Sequence, residues 1–204
     1  MTAKGHIFLA TGITLPIAAA AHIPITFDFL AGLVIGAWLP DIDEPGSYLG
    51  RRLYLLSYLL KAIGIQHRTL THSLAFAILV ALPALFIPEL KYFFLGLGLG
   101  VVLHCVGDLL TKSGLQYFLF PIKKQLHLLP KDLRFRTGSN IEYLVIIPFI
   151  LATLWSYKYI HISDYSGFKQ LHLEKKIEKG LEYFVSFVKE HQHDDFIKNI
   201  VSKL

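Results

Sequence analysis

The chain has 204 residues, of which 53% are hydrophobic and only 17% charged, and its mean hydropathy is +0.50. Soluble domains carry about 25% charged residues, so this composition excludes an ordinary soluble domain, and its long apolar runs point to an integral membrane protein. The net charge of +5 resides in loops between those runs, which fits membrane orientation and contact with anionic lipid rather than nucleic acid. The single cysteine, Cys105, excludes an internal disulfide or a Cys-rich zinc site.

The first apolar run, Ile7–Ile25, follows Lys4 and His6. Its small residues Ala18–Ala21 leave a cleavable signal peptide as the competing reading. Phe29–Leu39 is apolar but short for a span. Pro40 and Pro45 should stop a helix there. Gly46–Gln66 carries Leu53, Leu56, Leu59, Leu60 and Ile63 at helical spacing, an amphipathic helix for the interface. Thr69–Ile87 and the glycine-rich Tyr92–Leu110 are the next spans. Thr111–Asn140 is a basic loop with interleaved aromatic residues that suit a bilayer surface, and Ile141–Ile160 is the last span, with Trp155, Tyr157 and Tyr159 as anchors. Beyond Ser163 two amphipathic stripes predict a small helical tail. The expected fold is therefore an all-α, multispanning transmembrane bundle of about five spans, with an interfacial amphipathic helix and a helical C-terminal tail. It divides into a membrane domain over 1–162 and a tail over 163–204.

With those spans, the loops at 41–68 and 111–140 fall on the side of the N-terminus. They hold nearly all the loop Lys and Arg, so the positive-inside rule makes that side cytoplasmic and the protein a multi-pass cytoplasmic (inner) membrane protein. The polar residues gather at the same face. His6 begins the first span, Asp41 and Asp43 end the second, and His67 and His72 precede or begin the third. His104 and Asp108 end the fourth, and Glu142 begins the fifth.

His104 and Asp108 stand one helical turn apart and project from one face, and ionisable residues inside a membrane are functional candidates by default. The competing structural readings are an interhelical hydrogen bond for that pair, a turn paired with arginine for the acids, and interfacial imidazoles for the histidines. Together, His6, Asp41, Asp43, His67, His72, His104 and Asp108 are candidate ligands of one or two divalent transition ions: zinc first, manganese or iron as alternatives. Such ions can activate a water and clamp the oxygens of a displacement at phosphorus. Arg51, Arg52 and Arg68 are candidate phosphate clamps. Asp43, Arg68 and Glu142 are the candidate catalytic groups, with a helix-start carboxylate as the default for Glu142. The run His191-Gln-His193-Asp194-Asp195 reads as a solvated linker.

At these residues the chain resembles the YdjM-like, LexA-regulated type of membrane-bound metal-dependent hydrolases. The likeness rests on His6, on the LPDIDEP run with Ser47 and Arg51-Arg52, and on HRTLTHS at 67–73. His104-xxx-Asp108 followed by Thr111 and Gly114 completes it, and it covers residues 1–160. It implies a multispanning bacterial or archaeal protein with metal-dependent hydrolase activity. The His/Asp spacing is also similar, distantly, to that of zinc-dependent phospholipase C enzymes. The expected function is hydrolysis of a phosphoester in a lipid or lipid-linked substrate at the cytoplasmic face, with membrane lipids as partners. The alternatives are a non-enzymatic metal-binding scaffold or transporter, and a metal-free His/Asp lipid phosphatase. The latter lacks its expected Ser-Arg pair and Pro-Ser-Gly-His run.

Overall fold

The computed structural model describes residues 1–156 and 162–163. The chain divides into two units, Met1–Gly167 and Phe168–Leu204. The expected tail helices, the 191–195 run and the anchors Tyr157 and Tyr159 lie outside the described residues.

Helix α1 spans Ala3–Ala20 and starts at Thr2, whose hydroxyl accepts the Gly5 N–H at 3.2 Å. A short strand β1 (Ile25–Thr26) pairs in parallel with β2 (Ile162–Ser163). Thr26 then caps α2, Phe27–Gly36, through the Phe29 N–H at 3.1 Å. Pro40 opens a 3-10 turn over Leu39–Asp43 rather than continuing α2, as its missing N–H requires. The expected single amphipathic helix is two helices. α3 (Tyr48–Arg52) and α4 (Tyr54–Ala62) are broken at Leu53, whose ψ of 45° leaves the helical region. A 3-10 turn over Leu70–His72 leads into α5, Leu74–Ala81, which Ser73 caps. α6 runs over Lys91–Leu109 and α7 over Asn140–Ser156.

The expectation of five spans meets a length limit. Among the described residues, only Ala3–Ala20 and Pro88–Leu109 are long and apolar enough to cross a bilayer. The 10 residues of α2 reach about 15 Å, half of a hydrocarbon core of about 30 Å. The apolar segments Leu74–Leu85 and Asn140–Ser156 are also short. The outward surface of these helices is nevertheless apolar, with Leu79, Leu85, Leu151 and Leu154 each at least 60% exposed. The fully buried set includes His6, Asp43, His72, His104, Asp108 and Glu142. Soluble monomers rarely expose so much contiguous apolar surface; a polar interior inside an apolar exterior is what a lipid solvent favours.

The long α6 is the centre of the packing. Gly32 and Gly36 of α2 face Gly96 and Gly100 of α6, a pair of small-xxx-small motifs in mutual contact. A side chain on Gly32 would strike the Phe93 carbonyl, one on Gly36 the Leu97 carbonyl, and one on Gly100 the Leu33 carbonyl. Gly98 looks the other way, toward Ala77 and Ala81 of α5. α1 lies on α7, where Gly12 meets Phe149. The basic 111–140 segment folds back on the end of α6, and Phe118 and Leu126 cover Cys105, Leu109 and Leu115. Those two side chains therefore face protein, although the sequence left them free for a membrane surface.

Candidate metal centre

The close α2–α6 crossing determines what surrounds His104. A helix leaves its last carbonyls without internal partners, and the Ala37 carbonyl at the end of α2 accepts a hydrogen bond from His104 Nδ1 at 2.8 Å. Because a carbonyl only accepts, Nδ1 carries the proton and Nε2 presents a lone pair inward. The Trp38 indole donates to the Ala3 carbonyl at 3.0 Å. That bond ties the start of α1 to the end of α2, and the His6 ring stacks on His104 with centroids 3.6 Å apart. His6 Nε2 lies 3.5 Å from Asp108 Oδ1, while its buried Nδ1 has no hydrogen-bond partner among the described residues.

His67 and His72 come from the connecting segment, and both are oriented through Asp43. His67 Nδ1 donates to Asp43 Oδ1 at 2.7 Å. Thr71 donates its hydroxyl to Asp43 Oδ2 and accepts from His72 Nδ1 at 3.1 Å. Each imidazole thus turns its Nε2 away from Asp43. His72 Nε2 faces His104 Nε2 at 3.3 Å, Asp41 Oδ1 at 3.5 Å and Asp108 Oδ2 at 3.8 Å. His104 Nε2 is 3.7 Å from the same Asp41 oxygen. Asp108 also accepts from the Met1 amino group and forms an ion pair with Arg68, whose Nε lies 3.2 Å from Oδ2. Arg68 has φ of 64°, a left-handed conformation rare for a non-glycine residue and found where surrounding structure enforces it.

Two groups of donors result, His6 with His104 and Asp108, and Asp41 with His67 and His72. Either group could hold a metal ion, and they abut at the His72–His104 contact. The donor chemistry fits a borderline divalent ion, which takes imidazole nitrogen and carboxylate oxygen. Buried histidines whose second nitrogen is fixed by a carbonyl or carboxylate are the usual form of such ligands. Charge in this pocket is strongly coupled. Burial alone would raise the Asp41 carboxyl, but His104 and His72 beside it hold it well below the usual range. Asp43 is likewise opposed by burial, yet the bonds from His67 and His72 bring it down to about 2. Burial would lower His72, and the bonds to Asp41 and Asp43 overcome it and raise the imidazole to about 9. A proton on His72 Nε2 would point at the Asp41 and Asp108 oxygens that would surround a cation.

Glu142 and Arg52 have other partners. Glu142 is fully buried, but its oxygens accept from Thr2 N and Thr2 Oγ1, both at 2.7 Å, and from Gly138 N at 2.6 Å. Arg52 stacks over the Tyr48 ring at 3.7 Å and donates to the Tyr48 carbonyl. Arg51 is exposed. The feared pairing of Asp41 and Asp43 with arginines is absent among the described residues; histidines take that place. Ser47 donates to the Asp41 carbonyl at 2.7 Å and so holds the acidic turn, whereas Ser73 caps α5. Sequence reasoning missed Trp38, whose position beside the LPDIDEP run was the available signal.

Fold and site together define a helical membrane protein with a buried His/Asp cluster able to hold metal. A family model described as YdjM inner membrane protein matches residues 1–177, and the chain belongs to that family. It is 34% identical over 159 residues to the uncharacterized protein YvsG of Bacillus subtilis (strain 168), covering 76% of this chain and 93% of that one. Against the inner membrane protein YdjM of Escherichia coli (strain K12) the identity is 27% over 167 residues, covering 76% and 82%. YdjM of Shigella flexneri gives the same figures. No solved structure matches the chain.

Proposed function

We propose that the protein is a metal-dependent hydrolase of the inner membrane that cleaves a phosphoester of a lipid or lipid-linked substrate. Residues 1–162 form its five-span membrane domain, and 163–204 form an appended tail. The spans are α1, α2, α5 with its 3-10 extension, α6 and α7, and the N-terminus and centre face the cytoplasm.

One observation carries the reading: imidazoles and carboxylates from four separate segments converge, with His6, His72, His104 and Asp108 buried and the Nε2 atoms of His72 and His104 facing each other. Burying so many ionisable groups is costly unless a cation or a proton network joins them. His6, His104 and Asp108 would hold one ion, and Asp41, His67 and His72 a second. Zinc is the first choice and manganese or iron the alternatives. When bound, such ions supply a hydroxide-like water near neutral pH and neutralise charge on phosphoryl oxygens. Asp43 fixes the tautomers of His67 and His72. Arg68, half-buried beside Asp108, is the cation best placed to orient a phosphoryl group. Glu142 fastens the start of α1 to the start of α7 and so holds His6 in register.

The metal-free His/Asp phosphatase is disfavoured by the same geometry. That mechanism needs Asp108 to orient His104, whereas Ala37 does so. A scaffold or transporter would need ligands along a path through the bundle, and here they gather at one end of α6.

Elemental analysis of purified protein is the test. Bound zinc, manganese or iron is the expected result, with one ion lost on Asp41→Ala or His72→Ala and the other on Asp108→Ala. Folded protein without metal, refractory to loading, would refute the centre. Metal without turnover on a panel of phospholipids and polyprenyl phosphates would favour the scaffold.

A further inference from the structure

Beside the end of α6 lies a cavity of about 680 Å³ that the metal centre does not use. Lys112, Lys131, Arg134 and Arg136 line it, and Asp132 is its one acid. Its walls are fixed by main-chain bonds. Lys112 N donates to the Phe135 carbonyl at 2.9 Å, and Phe135 is fully buried. Ser139 N donates to the Arg136 carbonyl at 3.1 Å, just ahead of α7. Arg134 is braced by its Nε donating to the Leu129 carbonyl at 2.8 Å, leaving its terminal amino groups uncommitted among the described residues. None of the four cations forms an ion pair among the described residues.

Four cations around one carboxylate repel one another and make the cavity electropositive. The volume falls in the range of about 300–1,000 Å³ typical of ligand sites. We propose that this cavity binds a phosphate-bearing anion. Guanidinium forks take phosphate oxygens bidentately, and lysine ammonium groups supply point charges. The rim adds a second feature. Ile141, one of its lining residues, is 57% exposed, and Leu133, between the lining residues Asp132 and Arg134 in the chain, is 64% exposed, so an amphiphile can place its phosphate among the cations and its chain along apolar side chains. That marks a lipid headgroup as the source, with free phosphate as the soluble counterpart. The anion's role as substrate rests on the hydrolase reading; its binding does not.

The test uses the full chain in non-ionic detergent, titrated with phosphatidic acid, phosphatidylcholine and inorganic phosphate, with native mass spectrometry and calorimetry as readouts. Phosphatidic acid is expected to bind at least about tenfold more tightly than phosphatidylcholine. Arg134→Gln with Arg136→Gln is expected to weaken it by about tenfold or more, while Arg134→Lys keeps part of the affinity. Inorganic phosphate that binds as tightly as the lipid would keep the site and assign it to a soluble anion. Equal binding of the two lipids, or an unchanged double variant with an unchanged melting temperature, would overturn the proposal. Metal content is measured on the same samples. Its absence with headgroup binding retained would sink the metal reading alone; intact metal with no headgroup preference would sink this one alone.

Discussion

Replacing Asp43 with alanine separates a ligand from a group that holds ligands. In the structure Asp43 accepts from His67 Nδ1 and from Thr71, and through Thr71 it reaches His72 Nδ1. The variant leaves His67 free to turn and the buried Thr71 hydroxyl without its acceptor. Loss of one such partner weakens metal binding by about 10–100-fold. With two of the three ligands of one group affected, the upper end is expected, about 100-fold or 2.7 kcal/mol. The other group, His6 with His104 and Asp108, is untouched, so half of a two-ion load should persist. Zinc titration against a competing chelator reads both numbers, and cobalt substitution with visible spectra reports ligand geometry. Affinity within about twofold of wild type would refute the positioning role. Loss of the whole ion from the Asp41, His67 and His72 group would return Asp43 to the ligands, where the sequence had it.

Three further expectations follow from the packing and the charges. Gly36→Leu drives a side chain into the Leu97 carbonyl and should cost about 1–3 kcal/mol, read as a lowered melting temperature; an unchanged melting temperature would show that the crossing is looser than described. Glu142→Gln should lose about 1–3 kcal/mol of stability by spoiling bonds from Thr2 and Gly138, with metal stoichiometry retained; a loss of metal at unchanged stability would make Glu142 a ligand. His72 sits at about 9 in the metal-free protein, above its ordinary value, so its proton competes with the ion at every pH below that. Zinc affinity should therefore rise with pH and level off near 9, with proton release visible by calorimetry in buffers of different ionisation enthalpy. A flat profile between pH 6 and 8 would count against His72 as a ligand.

The convergence itself was legible in the sequence, because a helical protein in lipid has no reason to gather imidazoles and acids at one end unless they meet. His104 and Asp108 needed only the helical period to be placed on one face. Asp41 and Asp43 did not separate so readily. Two residues apart in a run of acids, they read as equivalent ligands, but in a 3-10 turn positions i and i+2 point about 120° apart. Asp41 consequently faces the imidazole Nε2 atoms, and Asp43 sits behind the rings. Arg51 and Arg52 read as phosphate clamps from residue type and position in the chain, and nothing in the sequence signalled that Arg52 would lie over the Tyr48 ring. Gly96-xxx-Gly100 announced a close helix approach, yet its partner Gly32-xxx-Gly36 lay in a segment too short to read as a regular span. Hydropathy reports apolar length, and α2 gains its place from backbone contact instead.

The two donor groups differ in what carries them. His6, His104 and Asp108 stand on long helices and are buried, whereas Asp41 is half-buried, His67 is exposed, and these two with His72 ride on short connecting turns. Ions in the proposed pair of positions would then have unequal lifetimes. The helix-borne ion could leave only if the glycine-packed frame opened, and the turn-borne one could exchange with small movements of the 39–43 and 67–72 turns. Dialysis against a mild chelator would strip the protein in two kinetic phases, and its response to metal supply would be governed by the faster one.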